Sequence, residues 1–452
     1  MSKKNLVLFI AFLFLFALAQ KAFSQDVLST YIKLALDSNV ALKQKNFDIQ
    51  EARIDLERAK TLFYPSVNFS SQYTVANGGR SIDIPVGDLL NPVYGTLNQL
   101  TSSTKFPQIQ NQSVKFLPND YNDSKIELTV PIYNANLKYN KELKEGLINN
   151  YLEDEVIYKR DLVLNVKQAY YAYLQTAKAV SIYTNALATV NENLRFSEKL
   201  VKNNAATKDI FLKAKAQVSN VQSLLAEAKQ EQNNAAAYLN FLLNRPLNAI
   251  VAEDSLLFQQ NEKETSLNVE LTVNREEITK LKNTQNVLQT NLQLNNTYKL
   301  PQLNAFYNAG FQGYGYKFNS NHFYQLAGLQ LTWNIFKGND NKLKAKQTEI
   351  DIEAINSKMT DVENQLKLQV TTIYNSYTAA IETLNNSIDE VASTKEAFRI
   401  IDKKFKEGQA LQIEWIDART QMTNAEIEYS LKQLDVLSKN AALERATATY
   451  KF

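Results

Sequence analysis

Apolar residues recur every seven positions along one stretch of the chain, and the same spacing returns further on. The first ladder consists of Val166, Tyr173, Val180, Leu187, Leu194 and Val201. The second consists of Val370, Tyr377, Leu384, Val391, Phe398 and Phe405, each 204 positions after its counterpart. A seven-residue apolar spacing of this length is typical of an α-helix that packs against another helix. The pattern therefore predicts two long helices and an internal duplication.

Each ladder is preceded by two stretches in which apolar and polar residues alternate. This period of two predicts strands with one apolar face. The predicted strands are 66–76 and 124–133 before the first ladder, and 302–312 and 323–335 before the second. Apolar steps of three and four residues predict six helices: helix 26–63, long helix 136–202 and returning helix 208–243, then helix 275–297, long helix 339–406 and returning helix 411–447.

The two halves form structural repeats at 25–246 and 274–452, separated by a mixed connector at 247–273. The first repeat contains an additional segment, 77–121, which is rich in Asn, Ser, Thr and Gln. Four prolines interrupt it: Pro85, Pro92, Pro107 and Pro118. We predict that this segment is a long polar loop inserted between the first two strands.

The amino terminus has the layout of a secretory signal peptide. Lys3 and Lys4 precede an apolar run at 6–19, and small residues at 22–24 form a plausible cleavage site. The alternative is a retained anchor helix, but the run is shorter than the ~20 residues that span a membrane. The sequence predicts a signal peptide at 1–24.

Composition excludes several classes of chemistry. The 452 residues contain no Cys and a single His, His322, so disulfides, thiolate metal sites and His-cluster metal sites are excluded. The formal net charge of +3 gives no electrostatic argument for nucleic-acid binding. We predict a chain that is not an enzyme and needs no cofactor.

The strands have the length and the aromatic ends of membrane strands. A tilted strand crosses a bilayer in about nine to eleven residues. Aromatic residues at the strand ends resemble the interfacial girdles of membrane barrels: Phe63, Tyr64, Tyr121, Tyr133, Tyr314, Tyr316, Phe318, Phe323, Tyr324 and Phe336. Since backbone groups in lipid must all be paired and the smallest membrane barrels have eight strands, four strands require an oligomer. The alternative is a small soluble sheet that caps a coiled coil.

Several short motifs, taken in order, carry a resemblance to a known family. They are YPSV at 64–67, NRPL at 244–247, NREEI at 274–278, LPQL at 300–303 and KEGQALQIEWIDA at 406–418. Together with the signal peptide and the repeated strand pair, long helix and returning helix, they resemble the TolC-type outer-membrane efflux proteins. The resemblance covers essentially the whole mature chain.

The resemblance implies an α+β membrane protein that forms a homotrimer. Four strands from each chain would make a twelve-stranded barrel in outer-membrane lipid, continuous with an α-helical barrel in the periplasm. It implies passive conduction of substrates from an inner-membrane pump and a periplasmic adaptor to the exterior, in efflux or type I secretion. The alternative is a periplasmic coiled-coil adaptor with a soluble β head, although an adaptor normally has one helical hairpin and this chain has two.

The resemblance also implies a periplasmic entrance at the two helix tips. Glu414 and Asp417 lie three residues apart, so they share a helix face, and threefold symmetry would bring six carboxylates together. The alternative is that both acids only answer the dipole of their helix. The remaining tip positions are expected to contact the adaptor: Asn203, Asn204, Lys208, Asp209, Lys406, Gly408 and Ala410. Ala410 stands where the family pattern has a basic latch residue, so a latch would be absent or built from Lys208 or Lys406.

Overall fold

The computed structural model describes residues 27–254 and 275–452, which divide into two units. The helical unit takes in residues up to Arg53, Gly146–Val287 and Asp351–Phe452. The strand unit takes in Ile54–Glu145 and Leu288–Ile350. The predicted signal peptide at 1–24 and most of the connector at 247–273 lie outside the described residues.

Long helices and antiparallel strands alternate along both halves, in agreement with the predicted α+β class. The first half contains α1 Val27–Ser38, α2 Val40–Thr61, β1 Ser66–Thr74, β2 Ser81–Ile84, α3 Val86–Leu100, β3 Gln112–Lys115, β4 Tyr121–Tyr133, α4 Ala135–Lys202 and α5 Lys208–Leu242. The second contains α6 Glu276–Asn296, a 3₁₀ turn at Thr297–Lys299, β5 Gln302–Tyr314, β6 Phe323–Thr332, α7 Asp340–Lys406 and α8 Gln412–Thr447.

The strand unit contains a four-stranded antiparallel sheet in the order β1-β4-β5-β6. Its register places Val67 opposite Leu128, Leu128 opposite Tyr307, and Tyr307 opposite Ala327. Because side chains alternate between the two faces of a strand, these apolar residues share one face of the sheet. β1 and β6 are the edges, and neither pairs with a further strand among the described residues.

Segment 77–121 is not the loop that its composition predicts. It contains a two-stranded sheet, β2 with β3, and the fifteen-residue helix α3. Pro85 occupies the position just before the helix and Pro92 lies within it. The prediction was wrong because proline and asparagine were taken as residues that end helices and strands. Here asparagine side chains bond to the backbone and stabilise a segment that has only a small apolar core.

Several element boundaries differ from prediction by a few residues, and two of the differences have a clear physical cause. Predicted helix 26–63 is interrupted at Asn39, whose side-chain oxygen accepts a hydrogen bond from the backbone N–H of Leu42 at 3.1 Å and so starts α2. Predicted strand 323–335 ends at Thr332, which pairs with Gln302, the first residue of β5. The apolar alternation continues beyond Thr332, but no partner strand extends that far.

Both seven-residue ladders pack against other helices. Val166 and Tyr173 are buried among α1, α5 and α8, and Val370, Tyr377 and Phe405 are buried on α7. The other rungs are half-buried. Leu187 and Leu194 from the first ladder and Phe398 and Phe405 from the second lie in one apolar cluster. The rungs therefore face neighbouring helices, as predicted.

A cluster of charged side chains joins α6, α8 and α4 inside the helical unit. Arg275 is 3% exposed, and its guanidinium bonds to both Glu277 oxygens at 2.6 and 3.0 Å. Arg445 bonds to Glu277 at 2.8 Å and to Asp161 at 2.6 Å. Burial alone would raise the pKa of Glu277, but the hydrogen bonds from Arg275 and Arg445 outweigh it and lower that pKa. Glu277 is therefore ionised at neutral pH.

Candidate functional site at the helix tips

The first tip joins α4 to α5 through a left-handed residue. Asn204 has a φ of 56°, and the backbone N–H of Ala205 donates to the carbonyl of Leu200 at 2.8 Å. This geometry satisfies a free carbonyl at the helix end. Asn203 and Lys208 are exposed at this tip.

Asp209 is the second residue of α5, and its side chain is held by neighbours in the sequence. Its carboxylate accepts a hydrogen bond from Thr207 and another from Lys213 at 3.2 Å. The Thr207 hydroxyl, followed by the Lys213 ammonium, lowers the pKa of Asp209. Asp209 therefore presents a negative charge at the N-terminus of α5, where the helix dipole favours it.

The second tip, in the second repeat, has the same arrangement of a left-handed residue at the end of the long helix. Gly408, which is 204 positions after Asn204, has a φ of 74° and ends α7. Lys406 donates to Asp402 on its own helix at 2.8 Å, and this hydrogen bond raises the pKa of Lys406. Lys406 is thus engaged within α7. Ala410 packs half-buried against the apolar cluster that contains rungs of both ladders.

Glu414 and Asp417 lie in the first turns of α8, and both are exposed. One Glu414 oxygen accepts a hydrogen bond from the backbone N–H of Leu411 at 2.7 Å, so this side chain caps its helix. Asp417 accepts a hydrogen bond from Gln421 at 2.9 Å. Within a single chain Glu414 therefore caps its helix and interacts with the helix dipole. The second oxygen of each carboxylate takes no part in the hydrogen bonds to Leu411 and Gln421.

Buried polar side chains connect the second tip to α4. Gln412 donates to the Asn193 oxygen at 3.4 Å, and Ser197 donates to the same oxygen at 3.1 Å. Trp415 donates from its ring nitrogen to Asp402 at 2.8 Å and bounds a small cavity of about 60 Å³. These contacts hold the start of α8 against both long helices.

Arg419 is a buried cation two residues beyond Asp417. It is 4% exposed, its guanidinium lies 5.4 Å from the centre of the Phe398 ring, and burial lowers its pKa. The sequence analysis missed Asn193, Gln412 and Arg419. Asn193 and Gln412 lie beside apolar positions of the helical pattern, and only the packing of separate helices shows that they are buried.

No group of three or more His, Cys, Asp or Glu side chains in 27–254 and 275–452 is placed to hold a metal ion. Across the same residues, every helix is too short or too polar to cross a membrane.

Residues 267–449, which include the whole second tip, match the family model described as outer membrane efflux protein. This part of the chain is similar to that family. Its members are outer-membrane efflux proteins, which confirms the predicted channel function and outer-membrane location and gives no support to the adaptor alternative. No curated protein sequence gives a significant match.

Solved outer-membrane channels have the same fold. The Campylobacter jejuni CmeC outer membrane channel is 13% identical, with a TM-score of 0.73 over 95% of this chain and 87% of that one. VceC from Vibrio cholerae is 15% identical, with a TM-score of 0.71 over 93% and 95%. The open state of the Neisseria gonorrhoeae MtrE outer membrane channel is 16% identical, with a TM-score of 0.72 over 93% and 88%. These likenesses extend the fold assignment to the first repeat of this chain.

Proposed function

We propose that three copies of this outer membrane efflux protein form an exit duct, which receives substrate from a periplasmic adaptor and an inner-membrane pump. The apolar face of the four-stranded sheet carries this proposal. Val67, Phe69, Ile126, Leu329 and Leu331 share that face across the sheet register and are all exposed. A large uncovered apolar face on a β-sheet suits contact with lipid.

The open edges of the sheet support the trimer. β1 and β6 have no partner strand among the described residues, and unpaired backbone groups in lipid each cost several kcal/mol. Pairing β1 of one chain with β6 of the next satisfies both edges at once. Three chains then close a twelve-stranded barrel, which exceeds the minimum of eight strands.

At the entrance, Glu414 and Asp417 of three chains form the proposed ring of carboxylates. Capping and ring formation are compatible, because the hydrogen bond from Leu411 occupies one Glu414 oxygen and leaves the charge exposed. A ring of carboxylates raises the local concentration of cations and restricts anions. The latch role that the family pattern gives to the Ala410 position passes to the Gln412–Asn193 and Trp415–Asp402 contacts.

The ring is tested by removing its charge while keeping the helix cap. The double variant Glu414→Gln and Asp417→Asn retains an acceptor for the Leu411 N–H. In planar bilayers we expect this variant to lose cation preference and to change single-channel conductance. The matched control Asp389→Asn with Glu390→Gln removes two exposed carboxylates from α7, and it should keep the wild-type preference. Unchanged selectivity in the first variant would leave Glu414 with its capping role alone.

A further inference from the structure

The insertion at 77–121 is a small subdomain with its own secondary structure at one end of the sheet. It joins the last residue of β1 to the first of β4, and it lies beside the β5–β6 turn, where Gly315 donates to the Asp120 carbonyl at 2.7 Å. Tyr73 donates to the Asp120 carboxylate at 2.5 Å. The long helices join the sheet strands at the opposite strand ends. On the proposed function, which this inference assumes, the insertion therefore lies at the outer mouth.

Three asparagine side chains hold the segment that follows α3, residues 106–111, against the helix. Asn91 accepts from the backbone N–H of Ile109 at 2.8 Å and donates to its carbonyl at 2.9 Å. Asn98 makes the same pair of bonds to Phe106, at 3.1 and 2.7 Å. Asn111 accepts from the backbone N–H of Asp88 and donates to its carboxylate, at 3.1 and 2.8 Å. These bonds fix the orientation of α3, since asparagines seven residues apart share a helix face.

The opposite face of α3 is apolar and, apart from the half-buried Leu97, exposed. Leu90, Val93, Leu97 and Leu100, which we name the α3 stripe, follow one another at steps of three, four and three residues. Val93 is 52% exposed and Leu100 is 77% exposed. This spacing is that of a helix which packs against another helix. An isolated helix of this length gains nothing from such a stripe in water.

The features of α3 favour a second copy of the same chain as the occupant. A helix that binds a lipid surface normally carries Lys or Arg on its polar face, and α3 has neither. Its single charge, Asp88, is engaged by Asn111. No charge therefore opposes the approach of identical helices. The link from β1 to β2 is short, so closing the barrel at the β1 edge brings the insertions of neighbouring chains to the same rim.

We propose that the α3 stripes of the three chains pack against one another and narrow the outer mouth of the duct. Each chain supplies one helix, and the contact is complete only when neighbouring copies are present. Gln99 lies on another face of α3 and is exposed, so it points away from this contact.

Cysteine crosslinking tests this contact directly, because the native chain contains no Cys. Val93→Cys and the control Gln99→Cys are each oxidised in outer membranes of intact cells. A disulfide requires Cα atoms within about 7 Å, so Val93→Cys should give about tenfold more covalent dimer than Gln99→Cys. A bimane label on Cys at position 93, in reconstituted trimers, should not be quenched by brominated lipid.

Three other outcomes would contradict the proposed contact, and each points to a different cause. Native trimers of Val93→Cys that do not crosslink, or that crosslink only to another protein, show that the stripe has a different occupant while the duct remains. Quenching of bimane by brominated lipid assigns the stripe to the membrane surface. A wild-type protein that is monomeric in mild detergent removes the proposed function itself, independently of any cysteine variant.

Discussion

Arg275 shows how a single side chain holds the helical unit together. Besides Glu277, its guanidinium donates to Gln369 on α7 at 2.9 Å and to the backbone carbonyl of Ala446 on α8 at 3.3 Å. One residue at the start of α6 therefore fixes two other helices. Because it is almost fully buried, its partners have no water to replace it.

Replacing Arg275 should cost far more than replacing an exposed arginine. We expect Arg275→Leu to lower the free energy of unfolding by about 3 kcal/mol, since it removes a buried cation and leaves the half-buried Glu277 carboxylate with one fewer partner. The matched control is Arg399→Leu, whose pair with Glu396 at 2.7 Å is exposed on α7 and should contribute nothing measurable. Urea unfolding in detergent, followed by far-UV circular dichroism, measures both. Equal losses in the two variants would contradict the role given to Arg275.

At the scale of elements, the sheet depends on close backbone approach between β4 and β5. A Cβ atom added at Gly310 would lie 2.3 Å from the Ser124 carbonyl oxygen and 2.6 Å from the Lys125 Cα. Both atoms belong to backbone that cannot move without breaking the pairing of these strands. Glycine is therefore required at this position for the central pair of strands to form.

Gly310→Val should prevent the sheet from forming. We expect loss of folded protein from the outer membrane and rapid proteolysis of the strand unit, because the added side chain separates β4 from β5. Gly95→Ala is the matched control, since nothing lies within 4 Å of a Cβ at Gly95 and alanine is favoured over glycine in a helix by about 1 kcal/mol. Wild-type yield of Gly310→Val would show that the strands can move apart.

At the scale of the whole molecule, the two free sheet edges determine assembly. β1 and β6 both carry exposed apolar side chains up to the edge of the sheet. Such edges invite pairing with another chain. Pairing around a closed ring leaves no edge free, whereas pairing in an open row always leaves two.

The closed ring predicts a specific crosslinking pattern between chains. Ser70→Cys in β1 is combined in turn with a cysteine at each β6 position, from Phe323 to Thr332. We expect covalent trimers for β6 positions opposite Ser70 in the neighbouring chain and little crosslinking elsewhere, since opposed Cβ atoms lie about 5 Å apart. Electrophoresis of oxidised membranes resolves the ladder. A ladder that extends beyond three chains would indicate an open row of subunits.

The sequence by itself determined the features that depend on local pattern. Alternation placed the four strands of the sheet within a few residues, because the period of two follows from strand geometry. The ladders located both long helices, and Asn204 and Gly408 marked the two tips, because each takes a left-handed backbone conformation that stops a helix. The motifs between these elements were enough to indicate the family.

Only the tertiary structure decided the features that depend on partners distant in the chain. β6 ends at Thr332 because β5 begins at Gln302, although the alternation itself continues. Asn193 and Gln412 are buried because α8 packs on α4. The insertion folds because the Asn91 and Asn98 side chains bond to the backbone of the segment that follows α3. The sequence pattern around a polar residue is the same whether its side chain faces water or a buried partner. Only the packing of the elements distinguishes the two.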